Sequence, residues 1–129
     1  MELTQFIKSL AKHPAVDRSA AALQVANARL HWKGMVGSAK SLLSLMVAQQ
    51  VPGTHLFILS DKEEAAYFLN DFEGVFPEDK RILFYPASYR VPYQQEQTDN
   101  SNVVARAEVL EQLSAKQNAW IVTYPEALF

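Results

Sequence analysis

The part of this chain whose residue types and spacing could do chemistry is residues 34–41, which read G-M-V-G-S-A-K-S. A phosphate-binding P-loop has the pattern G-x-x-x-x-G-K-S/T and lies between a β-strand and an α-helix. Gly34, Lys40 and Ser41 match this pattern, whereas Ala39 stands where the second glycine belongs. The stretch therefore resembles a P-loop with one substitution beside its lysine.

The chemistry of a P-loop shows what this substitution changes. Backbone N–H groups curl around a phosphate at the positive end of the following helix, the lysine neutralises phosphate oxygens, and the hydroxyl holds magnesium. The Cβ of Ala39 crowds this backbone or blocks the phosphate. We therefore predict a vestigial loop without catalytic or metal-ligating residues, and retained ATP binding with hydrolysis is the alternative. The residues of this former cofactor site are Gly34, Gly37, Ser38, Lys40 and Ser41.

A tyrosine-containing loop after residue 85 offers a second kind of chemistry. Tyr85, Tyr89 and Tyr93 could stack on bases of single-stranded DNA, and Arg90 and Arg106 could contact phosphates. The alternative, which we favour, is that the tyrosines pack a proline-containing loop over strand ends and that the arginines are solvated or paired.

The remaining histidines and carboxylates do not have the spacing of a metal or acid–base site. His13, His31 and His55 are far apart in the sequence, so no shared metal site is predicted. Asp61 follows an apolar run and could be the acidic residue of a nucleotide site. With Glu64 three residues later it also fits a helix capping box, which we favour.

The composition is that of an ordinary globular domain. A length of 129 residues fits one domain, and a net charge of −2 argues against a strongly cationic nucleic-acid module. No apolar run reaches the roughly 18 residues of a membrane span, and we expect no signal peptide. Cysteine is absent, which excludes disulfides and fits a cytoplasmic location.

Short apolar runs alternate with helical patterns along the chain, which predicts an α/β fold with a parallel sheet covered by helices on both faces. The predicted strands are residues 29–32, 55–59, 82–85 and 120–123. The predicted helices are residues 2–12, about 17–27, 39–50, 61–74 and 101–116. In the last of these we expect Val103, Ala107, Leu110 and Leu113 to point inward. Pro125 would begin a further helix that four residues cannot complete, so we expect the natural chain to continue.

Five segments together resemble a known family. They are GMVGSAKSLL at residues 34–43, HLFILSDKEEAAY at 55–67, FYPASYRVPY at 84–93, VARAEVLEQL at 104–113 and WIVTYPEAL at 120–128. In this order they resemble the N-terminal region of bacterial transcription-repair coupling factors, which is similar to the first domain of the repair protein excinuclease B. The resemblance covers about residues 25–129.

The resemblance implies a partial P-loop NTPase-like (RecA-like) domain with a degenerate P-loop at residues 29–129, truncated at its C-terminal end, after a helical lead-in at residues 1–28. The whole coupling factor uses ATP and magnesium to move on DNA, releases stalled RNA polymerase and recruits excinuclease A, another repair protein. Its motor and polymerase-binding domains lie far downstream of the resembling region, and the main surface for excinuclease A belongs to the next domain.

For this chain, the resemblance therefore implies a scaffold or interaction domain whose partners are neighbouring domains of the same protein, with no enzyme activity or cofactor of its own and no membrane partner. This domain has typically lost nucleotide binding in the family. In keeping Lys40 and Ser41, this chain departs from the family's degenerate loop and is closer to an intact P-loop motif. Only about fifteen residues separate Tyr85 from Ser101, too few for the DNA-gripping hairpin of excinuclease B.

Overall fold

The structure is a computed structural model that describes residues 2–88 and 97–129. The chain divides into two compact units, Met1–Pro52 and Gly53–Phe129. The first unit contains the helices α1 (Leu3–Ala11), α2 (Pro14–Leu23) and α3 (Ala39–Gln50). The second contains β1 (His55–Ile58), α4 (Lys62–Val75), β2 (Ile82–Phe84), α5 (Gln97–Ser114), β3 (Trp120–Thr123) and a 3₁₀ turn (Pro125–Ala127). The predicted boundary at residue 28 rests on the resemblance and stays a prediction.

In the first unit, α1 and α2 each pack against α3. Val16 and Ala20 of α2 and Leu45 and Met46 of α3 are buried, as the spacing of their apolar residues requires. Helix α2 begins at Pro14, earlier than predicted, because the fixed φ of proline suits the first helical position.

The predicted strand at residues 29–32 is wrong, since this segment has no regular structure. Arg29, Leu30 and His31 are exposed. The indole N–H of Trp32 donates to Ser19 Oγ on α2 at 3.0 Å, so this tryptophan is fixed to a helix of its own unit. The segment alternates polar and apolar residues and lacks the continuous apolar run of a buried parallel strand.

The second unit contains a parallel sheet in the order β1-β3-β2. Both β1 and β2 align with Trp120 at the start of β3, through His55 and Ile82 respectively. All four residues of β3 are buried because this strand is central. These strands confirm the predicted α/β class and three of the four predicted strands.

Helices cover the two faces of this sheet. On one face, Phe57 of β1 packs against Phe68 and Phe72 of α4, with ring centres 5.2 Å apart in each pair. On the other face, Val109 of α5 packs with Ile121 of β3. Coverage is less complete than predicted at the edge strand β1, where Leu56 and Ile58 remain exposed.

The inward face of α5 also differs from the prediction. Val103, Leu110 and Leu113 are exposed, as is Ala107, whereas Val109 is buried. Asn102 and Arg106 share the inward side because their side chains donate hydrogen bonds to backbone carbonyls of neighbouring loops. Burying those carbonyls without a donor would cost more than exposing a few apolar side chains.

Candidate functional site

The two glycines of the P-loop-like stretch are required by the backbone. Gly34 has φ 77° and Gly37 has φ 58°, in the left-handed region that favours glycine. A Cβ added to either residue would meet no atom within 4 Å. The turning of the chain therefore explains both glycines.

Backbone N–H groups around position 39 donate hydrogen bonds to carbonyl oxygens of the loop itself. The N–H of Ala39 donates to the carbonyl oxygen of Val36 at 3.1 Å, and the N–H of Leu42 donates to that of Ser38 at 3.0 Å. A phosphate cradle needs successive N–H groups that point at the ligand. The amide of Ala39 instead closes a turn that leads into α3.

Ser41 is turned into the protein. Its side chain is 2% exposed, and its hydroxyl donates to the carbonyl oxygen of Ser38 at 2.9 Å. A magnesium-binding P-loop hydroxyl must face the phosphates. Gly34, Gly37 and Ser38 are exposed and Lys40 is half-buried, so the predicted site residues lie at one loop–helix corner with no strand before it.

Asp61 serves as a helix cap, as predicted. Its Oδ1 accepts a hydrogen bond from the N–H of Glu64 at 2.8 Å and so satisfies a free donor at the start of α4. The first turn of α4 also carries Glu63, and acidic side chains are favoured at this positive end of a helix.

Tyr85 and Arg106 are engaged with the protein itself. The Arg106 guanidinium carbon lies 4.1 Å from the centre of the Tyr85 ring. Its Nη1 donates to the carbonyl oxygens of Pro86 at 2.8 Å and Ala127 at 2.9 Å. For Tyr85, packing over a strand end is therefore confirmed. Tyr89, Arg90 and Tyr93 lie outside the described residues.

Three polar contacts near Tyr85 were not anticipated from the sequence. The hydroxyl of Thr123 donates to the carbonyl oxygen of Tyr85 at 2.8 Å. The Tyr124 hydroxyl accepts from the N–H of Ala87 at 2.8 Å, and Asn102 Nδ2 donates to the Ala87 carbonyl oxygen at 3.2 Å. They fix residues 85–87 at the carboxyl ends of β2 and β3, where α/β folds place their ligands. The sequence feature that could have predicted these contacts is the pair Thr123 and Tyr124, whose hydroxyl groups follow the apolar residues 120–122 of β3.

A salt bridge between Arg81 and Asp79 lies at the opposite, amino end of the sheet. Arg81 donates to both carboxylate oxygens of Asp79, from Nε at 3.0 Å and from Nη2 at 2.7 Å. These bonds lower the pKa of Asp79 and raise that of Arg81. The same guanidinium carbon lies 4.0 Å from the centre of the Trp120 ring, so a cation–π contact joins the residue before β2 to the first residue of β3.

Comparison with known protein families, with curated proteins and with solved structures finds no match. Among residues 2–88 and 97–129, no three histidine, aspartate or glutamate side chains are grouped as a metal site would need. No helix in the same part of the chain is long and apolar enough to cross a membrane.

Proposed function

We propose that this chain is an excinuclease-B-like scaffold domain of a cytoplasmic transcription-repair coupling factor and that it does not hydrolyse ATP. The proposed lack of ATP hydrolysis rests on Ser41, whose hydroxyl points inward and donates a hydrogen bond to the carbonyl oxygen of Ser38. The absence of a strand at residues 29–32 supports it, because a P-loop depends on a strand to aim its backbone.

The scaffold half of the proposal is supported by the segments that carry the resemblance. One of them contains the edge strand β1 with the start of α4, and another contains the central strand β3 with the following turn. In the parent protein, ATP and magnesium would serve the distant motor that releases stalled RNA polymerase. This domain would hold its neighbours in place, including the one that recruits excinuclease A.

Thermal unfolding in the presence of Mg-ATP tests the loss of nucleotide binding. A ligand at 100 times its dissociation constant stabilises a protein by about 2.7 kcal/mol. We expect no change in melting temperature at millimolar Mg-ATP, either for the natural chain or for Ala39→Gly, which restores the P-loop glycine. A stabilisation that Lys40→Met abolishes would overturn the proposal.

Binding of excinuclease A tests the scaffold role. We expect the 129-residue chain alone to bind excinuclease A far more weakly than a longer piece of the parent protein that includes the next domain. Tight binding by the chain alone would show that this domain is itself the recruiting surface.

A further inference from the structure

His13 forms the junction between α1 and α2. Its backbone N–H donates to the carbonyl oxygen of Leu10 at 3.0 Å, and its own carbonyl oxygen accepts from the N–H of Val16 at 2.9 Å. Its side-chain Nδ1 accepts from the N–H of Ala15 at 3.1 Å. Since Pro14 has no N–H, Ala15 supplies the first free donor of α2. One residue therefore closes the first helix and caps the second.

This cap requires a neutral imidazole. Nδ1 can accept a hydrogen bond only when the ring proton is on Nε2, and protonation places an N–H on Nδ1 that faces the N–H of Ala15. The added positive charge also lies at the positive end of the α2 dipole. We propose that His13 is a pH-sensitive cap whose protonation opens the first turn of α2.

The charged side chains of the helices around this cap are of types that do not change charge near neutrality. The charged side chains on α1, α2, α3 and the junction between the first two are Lys8, Lys12, Asp17, Arg18 and Lys40. Side chains of these types ordinarily keep one charge state between about pH 5 and 7.5, whereas an imidazole changes charge in that range. Asp17 is held through its Oδ1 by Gln50 Nε2 of α3, at 3.3 Å.

Backbone NMR of the 129-residue chain tests this cap. Between about pH 7.5 and 5.0 we expect the helical chemical shifts of Ala15 and Val16 to weaken, and the equilibrium constant for the formed first turn to fall about fivefold. His13→Asn keeps a side-chain acceptor that does not titrate, so its α2 should not respond to pH in this range. His31→Asn removes the other histidine of the same unit and should respond like the natural chain.

Two results would overturn the proposal. One is a pH response of α2 in His13→Asn equal to that of the natural chain, which would place the titrating group elsewhere. The other is an intact first turn in His13→Ala at about pH 7.5, which would show that α2 does not depend on this cap.

Discussion

Arg106 of α5 stacks on the ring of Tyr85, 4.1 Å from its centre, at the end of β2. The same guanidinium donates to the carbonyl oxygens of Pro86 and Ala127. One side chain thus joins three segments that are distant in sequence: α5, the loop after β2 and the 3₁₀ turn after β3. Its charge is used to satisfy backbone carbonyls in the interior of the second unit.

We expect Arg106→Met to destabilise the protein by about 2–3 kcal/mol, because two carbonyl oxygens lose a charged donor and the stacking on Tyr85 is weakened. Urea unfolding followed by circular dichroism measures this change. Arg29→Met is the matched control, since Arg29 is exposed. Equal stability of the two variants would contradict the structural role of Arg106.

Phe72 is the centre of the aromatic cluster between α4 and the sheet, with contacts to Phe57, Phe68 and Trp120. It is fully buried, so Phe72→Ala should cost about 3–5 kcal/mol. Tyr67, on the same helix, is 74% exposed, and Tyr67→Ala should change stability by less than about 0.5 kcal/mol. A small effect at Phe72 in thermal or urea unfolding would argue against this core.

Two substitutions of Asp61 test whether its hydrogen bond to the N–H of Glu64 stabilises α4. Asp61→Ala should lower the free energy of unfolding by about 1 kcal/mol, because the N–H of Glu64 loses its partner. Asp61→Asn keeps the acceptor and should remain within a few tenths of a kcal/mol of the natural chain. If both variants lost stability equally, the negative charge of Asp61 would matter more than its hydrogen bond.

The Asp79–Arg81 pair predicts a small acid-sensitive contribution to stability. Hydrogen bonds from Arg81 lower the pKa of Asp79, so the folded protein binds that proton less tightly than the unfolded chain does. The stabilisation is therefore complete at neutral pH and is lost as the pH falls through the usual range of aspartate and below. Arg81 is 43% exposed, which limits the contribution to about 0.5 kcal/mol.

Unfolding experiments between about pH 7 and pH 3 check this contribution. Asp79→Asn should lose less stability on acidification than the natural chain does, because it lacks the carboxylate that must be protonated. Glu73→Gln removes an exposed carboxylate of α4 and should keep the natural pH profile. Identical profiles for Asp79→Asn and the natural chain would contradict the prediction.

The sequence predicted those helices and strands that a short stretch of residues identifies by itself. The apolar runs of β1 and β3 and the spacing between Asp61 and Glu64 each identify an element without reference to the rest of the chain. The inward face of α5 could not be predicted in this way, because Arg106 points inward to meet carbonyls of two distant loops. The strand predicted at residues 29–32 does not form, because this segment lacks the continuous apolar run that identifies β1 and β3.

Of the three strands in the described residues, the central one, β3, is synthesised last. Both β1 and β2 form their ladders with β3, which follows them in the sequence. On a ribosome, neither earlier strand has its partner until the codons up to Thr123 have been translated, and long loops must then close at once. A nascent chain that ends before Trp120 therefore leaves both β1 and β2 without this partner strand, so the three-stranded sheet cannot form until late in synthesis.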